Sequence, residues 1–145
     1  MASAPGEKRV LLSYSPEDEE IKETIAKDLT GEKIEVATSD TIPVASKESN
    51  RKWSERKCKS VVAVLVVMTS DYQEDEECIA DAEAATFLKS EIFFAKAKNF
   101  EENEWMKNIR GDSKVFDLTS TSKYKNNMKR LIASLKQILC KQGIF

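Results

Sequence analysis

Apolar and polar positions along the chain alternate between two rhythms, one of strands and one of helices. The longest apolar stretch lies within residues 60–70, where Val61 to Met68 are eight consecutive apolar residues, five of them valine. β-branched stems suit a pleated surface and sit poorly in a helix. The run is continuous rather than alternating, which predicts a strand buried on both faces. That is the pattern of a central parallel strand with helices above and below it.

The rest of the chain reads as layers around that strand. Residues 9–15 form a short apolar strand that stops before Pro16. Pro16 suits the first position of a helix, Ser15 its cap, and Glu17, Asp18, Glu19 and Glu20 the positive end of its dipole. Ile21, Ile25, Ala26 and Leu29 make the apolar stripe of this helix, and Gly31 is placed to end it. Residues 33–38 alternate apolar and polar, as an edge or half-covered strand does. Residues 39–50 are a mostly polar loop, long for an α/β connection, and long ordered loops tend to carry function. A short helix over 52–59 turns Trp53 and Cys58 toward the sheet.

Beyond Ser70, the acidic segment 71–77 leads into a helix over 78–90, with Ala80, Ala84, Phe87 and Leu88 on its buried side. Residues 92–95 are a fourth strand. Residues 98–111 are irregular or briefly helical and carry Trp105 and Ile109, and 115–118 are a fifth strand. In the last helix Tyr124, Met128, Leu131, Leu135 and Ile138 share one face, which covers a sheet rather than zips a coiled coil. Strands and helices alternate five times. The expected fold is therefore α/β, a three-layer sandwich around a parallel sheet with right-handed crossovers.

Composition narrows the function. A chain of 145 residues makes one domain, expected over 8–145 after a disordered leader at 1–7. Its 23 basic and 25 acidic residues leave a net charge of −2, so no global basic field points to nucleic acid or anionic lipid. The longest apolar run is far short of the ~20 residues that span a bilayer, so no direct membrane insertion is expected. The three cysteines are odd in number and at no metal-ligand spacing, which suits a reducing, cytoplasmic compartment. The chain has no histidine, which excludes Ser-His-Asp and Cys-His catalysis and histidine-ligated zinc. Helix-start chemistry accounts for the acidic run at 17–20, and no metal site is expected.

Residues 9–18, a strand ending in Ser-Tyr followed by an acidic helix, resemble the opening box of Toll/interleukin-receptor (TIR) domains. Trp53, the apolar strand, Ser70 with Tyr72, and Cys78 before the next helix are similar to the middle of that family's pattern. Residues 94–105 and 115–118 are similar to its closing segment. The resemblance covers about residues 8–139 and implies a five-stranded parallel sheet in flavodoxin-like order 2-1-3-4-5.

It implies two kinds of work. Many TIR domains are signalling modules in innate immunity or stress that self-associate or pair with other TIR domains through the loop after the second strand. Here that loop would offer Asp40, Ile42, Pro43 and Val44, without the glycine that often follows its proline. Others hydrolyse NAD with a glutamate on the helix after the third strand. Spacing from Cys78 places Asp81 there, one methylene shorter, with Glu83 two residues on and rotated by about 200°. A carboxylate at that point stabilises the oxocarbenium-like state of glycosidic cleavage. No cofactor is required, and NAD would be the substrate of this second reading. With the implied strand order, ligands sit where the order reverses, beyond the carboxyl ends of the strands. Ser13, Tyr14, Ser15 and Pro16, the 39–50 loop, Ser70 and the start of the Cys78 helix would line that crevice.

A receiver-like phosphoacceptor is a third reading. Glu17 and Asp18 imitate its acidic pair, but the third strand ends in Met68-Thr69-Ser70, with no aspartate to accept phosphate.

Overall fold

The computed structural model describes residues 9–141, so the expected leader at 1–7 lies outside the described residues. Five strands form one sheet: β1 (Arg9–Ser13), β2 (Glu35–Ala37), β3 (Ala63–Met68), β4 (Ile92–Lys96) and β5 (Val115–Asp117). Their order is β2-β1-β3-β4-β5, and every neighbouring pair is parallel. Five helices connect and cover them: α1 (Glu19–Gly31), α2 (Asn50–Lys59), α3 (Glu76–Phe87), α4 (Glu104–Arg110) and α5 (Thr121–Lys141). This is a flavodoxin-like α/β sandwich.

All six residues of β3 are buried, and consecutive ones serve opposite sides of the sheet. Leu65 and Val67 join Leu12, Ile25, Leu29, Leu131 and Leu135 in the layer under α1 and α5. Val64, Val66 and Met68 join Leu11, Cys58, Cys78, Ala82 and Met106 in the layer under α2, α3 and α4. The alanines of α3 let its backbone sit close to the sheet. Val61 and Val62 are only half-buried, because the strand proper begins at Ala63.

Three local expectations are corrected, while Gly31 ends α1 as expected. Ser15 and Pro16 open a single 3-10 turn (Pro16–Asp18), where the Ser15 side chain accepts from the Glu17 amide at 3.3 Å; α1 begins after it. Gly31 is the last helical residue, and Lys33 takes the left-handed conformation at φ 64°. Phe87 faces solvent, since the buried face of α3 runs through Cys78, Asp81, Ala82, Ala84 and Ala85. In α5 the buried stripe ends at Leu139 rather than Ile138. Among the described residues, no helix is long and apolar enough to cross a membrane.

Candidate functional site

The strand order reverses between β1 and β3, and a crevice of about 220 Å³ opens at the carboxyl end of β1. Tyr14, Pro16 and Glu19 form one wall, Ser39 and Asp40 come from the loop after β2, Trp53 from α2 and Glu77 from α3. None of these lining residues is basic. The Tyr14 hydroxyl donates to Glu19 at 3.2 Å, and burial, with Glu19, Asp40 and Glu77 nearby, pushes its pKa up.

Asp81 is buried among charged and polar partners, only 2% exposed. Its Oδ1 accepts from Ser54 Oγ at 2.6 Å and lies 2.9 Å from Lys57 Nζ, while its Oδ2 accepts from Ser13 Oγ at 2.9 Å. Because the only Ser13 hydroxyl proton goes to Asp81, the Tyr72 hydroxyl donates to Ser13 across 2.9 Å. Burial raises the Asp81 pKa, and Lys57 with the serine hydroxyls works against that rise.

Lys57 is fully buried, which demands partners for all three of its protons. Besides Asp81 it reaches Ser39 Oγ at 3.1 Å and Glu77 Oε2 at 3.4 Å, and its ammonium sits 3.8 Å over the Trp53 ring. Ser39 donates to the same Glu77 oxygen. One lysine therefore ties the loop, α2 and α3 together beneath the crevice.

The sequence-based candidates separate accordingly. Ser13 and Asp81 meet directly, and Tyr14 and Asp40 line the crevice. Ser15 is a buried cap. Ser70 is exposed in the turn after β3, apart from the crevice lining, because the chain leaves the sheet there. Glu83 is exposed on the far side of α3 and accepts from Trp105 Nε1 at 3.1 Å. In the loop, Ile42 is buried rather than presented, and its carbonyl accepts from Trp53 Nε1 at 2.7 Å. Pro43 and Val44 point outward, Val44 half exposed at 50%. Arg56 clamps the loop, donating to the Pro43 carbonyl and both oxygens of Glu48, whose pKa it holds down at about 2.

Sequence reasoning missed Lys57, Ser54 and Glu77. The signal was present in the helix period: Trp53, Ser54, Lys57 and Cys58 share one face of α2, and that face is buried. A second missed cluster sits at the end of β3, where Thr69 Oγ1 donates to buried Asp18 at 2.6 Å and Lys98 lies 2.8 Å from it. No carboxylate stands at the end of β3, so the receiver reading finds no phosphoacceptor. Among the described residues, no three Cys, Asp or Glu side chains gather as a metal site.

A doubly wound parallel sheet in this order, with a crevice at its switch point, defines a flavodoxin-like α/β domain. The fold is TIR-like, as two solved structures show. The chain is similar to the TIR domain of the Toll-related receptor TRR-2 from Hydra magnipapillata (TM-score 0.65, 16% identity), over 86% of this chain and 97% of that one. It is likewise similar to the RPS4 and RRS1 TIR domain heterodimer (TM-score 0.62, 12% identity), over 91% of this chain and 98% of that one. No family model matches the sequence, and no curated protein matches it.

Proposed function

We propose that this domain is a cytoplasmic TIR-type signalling module, acting through self-association or heterotypic TIR–TIR contacts in innate-immune or stress signalling. The observation that carries this reading is the way the loop after β2 is held. Ile42 is anchored inside, Trp53, Arg56 and Lys57 grip the loop, and Pro43 and Val44 are left facing outward. A rigidly held apolar tip pays little ordering entropy on binding. The heterodimer among the similar structures supports contact between two such domains.

NAD cleavage is the alternative, and Asp81 is its carboxylate. Against it stands the use of that carboxylate: its oxygens are taken by Ser13, Ser54 and Lys57, away from any ribose in the crevice. The crevice lining also lacks the arginine or lysine that commonly grips a pyrophosphate. In its favour stands the short polar link from Asp81 through Lys57 to Glu77 at the crevice wall.

Two measurements on the full chain separate the readings. Sedimentation across concentration should show reversible assembly, and Pro43→His should weaken it while leaving the melting temperature nearly unchanged, because an exposed loop tip carries little packing energy. Chromatography after incubation with NAD at high protein concentration should show no released nicotinamide. Turnover that disappears in an Asp81→Ala variant still folded by circular dichroism, and persists in Glu83→Ala, would replace the module reading with the enzymatic one.

A further inference from the structure

The charges of two helices on opposite faces of the sheet are sorted by sign. α3 carries Glu76, Glu77, Asp81 and Glu83 and no basic residue. α5, across the sheet, carries Lys123, Lys125, Lys129, Arg130, Lys136 and Lys141 and no acidic residue. On α3 the exposed Glu76, Glu83 and Phe87 fall on one outer stripe, since steps of seven and four residues nearly return to the same angle. Phe87, 67% exposed, ends that stripe with the Arg51 guanidinium of α2 5.2 Å over one side of its ring, and Glu83 also accepts from Trp105; Phe87 and Val44 are the large exposed apolar side chains among the described residues.

α5 carries the complement. Lys125, Lys129, Ile132 and Lys136 follow one another at steps of four, three and four, so they too share a stripe. Beside it runs a groove of about 480 Å³ between α1 and α5, with Tyr124, Met128 and Ile132 as its apolar lining. The carboxylates in the groove are engaged: Asp28 accepts from the Tyr124 hydroxyl at 2.6 Å, and Glu32 pairs with Lys136 at 2.9 Å. Lys125 and Lys129 make no ion pair among the described residues. Each stripe is about 16 Å long at a rise of 1.5 Å per residue.

We propose that these two surfaces bind each other between copies of the chain. Phe87 of one copy seats in the α1–α5 groove of the next, and Glu83, one turn before it, faces the Lys125–Lys129 part of the α5 stripe. This rests on the self-associating module reading and names a pair of surfaces distinct from the Pro43 loop. Since the two patches differ, the contact is heterologous, and it propagates head to tail unless the rotation closes a ring.

Site-directed cross-linking of the full chain in a Cys140→Ser background tests it. One preparation carries Thr86→Cys, beside Phe87, and the other Ala133→Cys, beside the groove; both positions are exposed and leave knob and groove intact. Under mild oxidation, the mixture should give a disulfide-linked heterodimer at least tenfold above that with Glu23→Cys replacing Ala133→Cys. Adding Phe87→Glu to the first preparation should abolish it, and about 1 M salt should weaken it, because screening then acts within about 3 Å. Cross-linking no stronger than the control, or unchanged by Phe87→Glu, while the unaltered chain still sediments as assemblies, overturns this interface and leaves the module reading standing. An unaltered chain that stays monomeric at every concentration overturns self-association and this interface together.

Discussion

Lys57 Nζ on α2 lies 2.9 Å from Asp81 Oδ1 on α3, and both residues are buried. An ion pair so placed costs heavy desolvation, and it stands only because Ser13, Ser54, Ser39 and Trp53 complete its partners. It joins the helix that grips the loop to the helix that carries the candidate catalytic position.

Breaking the pair should destabilise the fold more than replacing it. Lys57→Met or Asp81→Asn alone should cost about 3–5 kcal/mol, while Lys57→Met/Asp81→Asn should cost less than their sum, read from urea denaturation. Without Lys57 the buried carboxyl has a pKa raised still further, so the folded state holds a proton that the unfolded state releases near its usual value of about 4. The Lys57→Met variant should therefore lose stability as pH rises from that value toward the raised one.

Leu65 is fully buried at the centre of β3, beneath α1 and α5. Leu65→Ala should cost about 2–5 kcal/mol, measured as a lower urea midpoint with an unchanged slope. An unchanged midpoint would remove β3 from the centre of the fold.

Gly31 is helical, and a Cβ there meets nothing within 4 Å. Gly31→Ala should therefore stabilise the domain by about 0.4–1 kcal/mol, through lower entropy of the unfolded chain. Thermal denaturation at one fixed pH checks the sign.

Burial pushes the Cys58 thiol up to about 12, and the Cys78 thiol rises for the same reason. Both should resist alkylation at pH 8 in the folded protein, leaving the exposed Cys140 as the thiol that reacts until denaturant is added. The linkage runs against alkaline conditions. Between an unfolded thiol value of about 8.5 and the raised folded one, the unfolded state releases protons that the folded state keeps, so stability falls as pH rises. The fall should approach about 1.4 kcal/mol per pH unit for each such thiol. Urea midpoints at pH 8 and pH 11 measure it, and Cys58→Ala should flatten the slope.

The sequence by itself determined the strands, the helices and the layer order of this protein. Val61 to Met68 announced a strand buried on both sides, and the steps of α5 announced its covering face, because burial imposes a period that is local and legible. The resemblance to TIR domains then supplied the strand order that periodicity cannot carry. Tertiary structure alone decided the site. Whether Asp81 faces a ligand or a lysine depends on Lys57, 24 residues earlier, and a charged residue on a short helix reads as surface until its neighbours are known. Phe87 was misread through helix phase: it falls on the outer stripe of α3 with Glu76 and Glu83, away from the buried alanines, and the Arg51 guanidinium of α2 stands 5.2 Å over its ring.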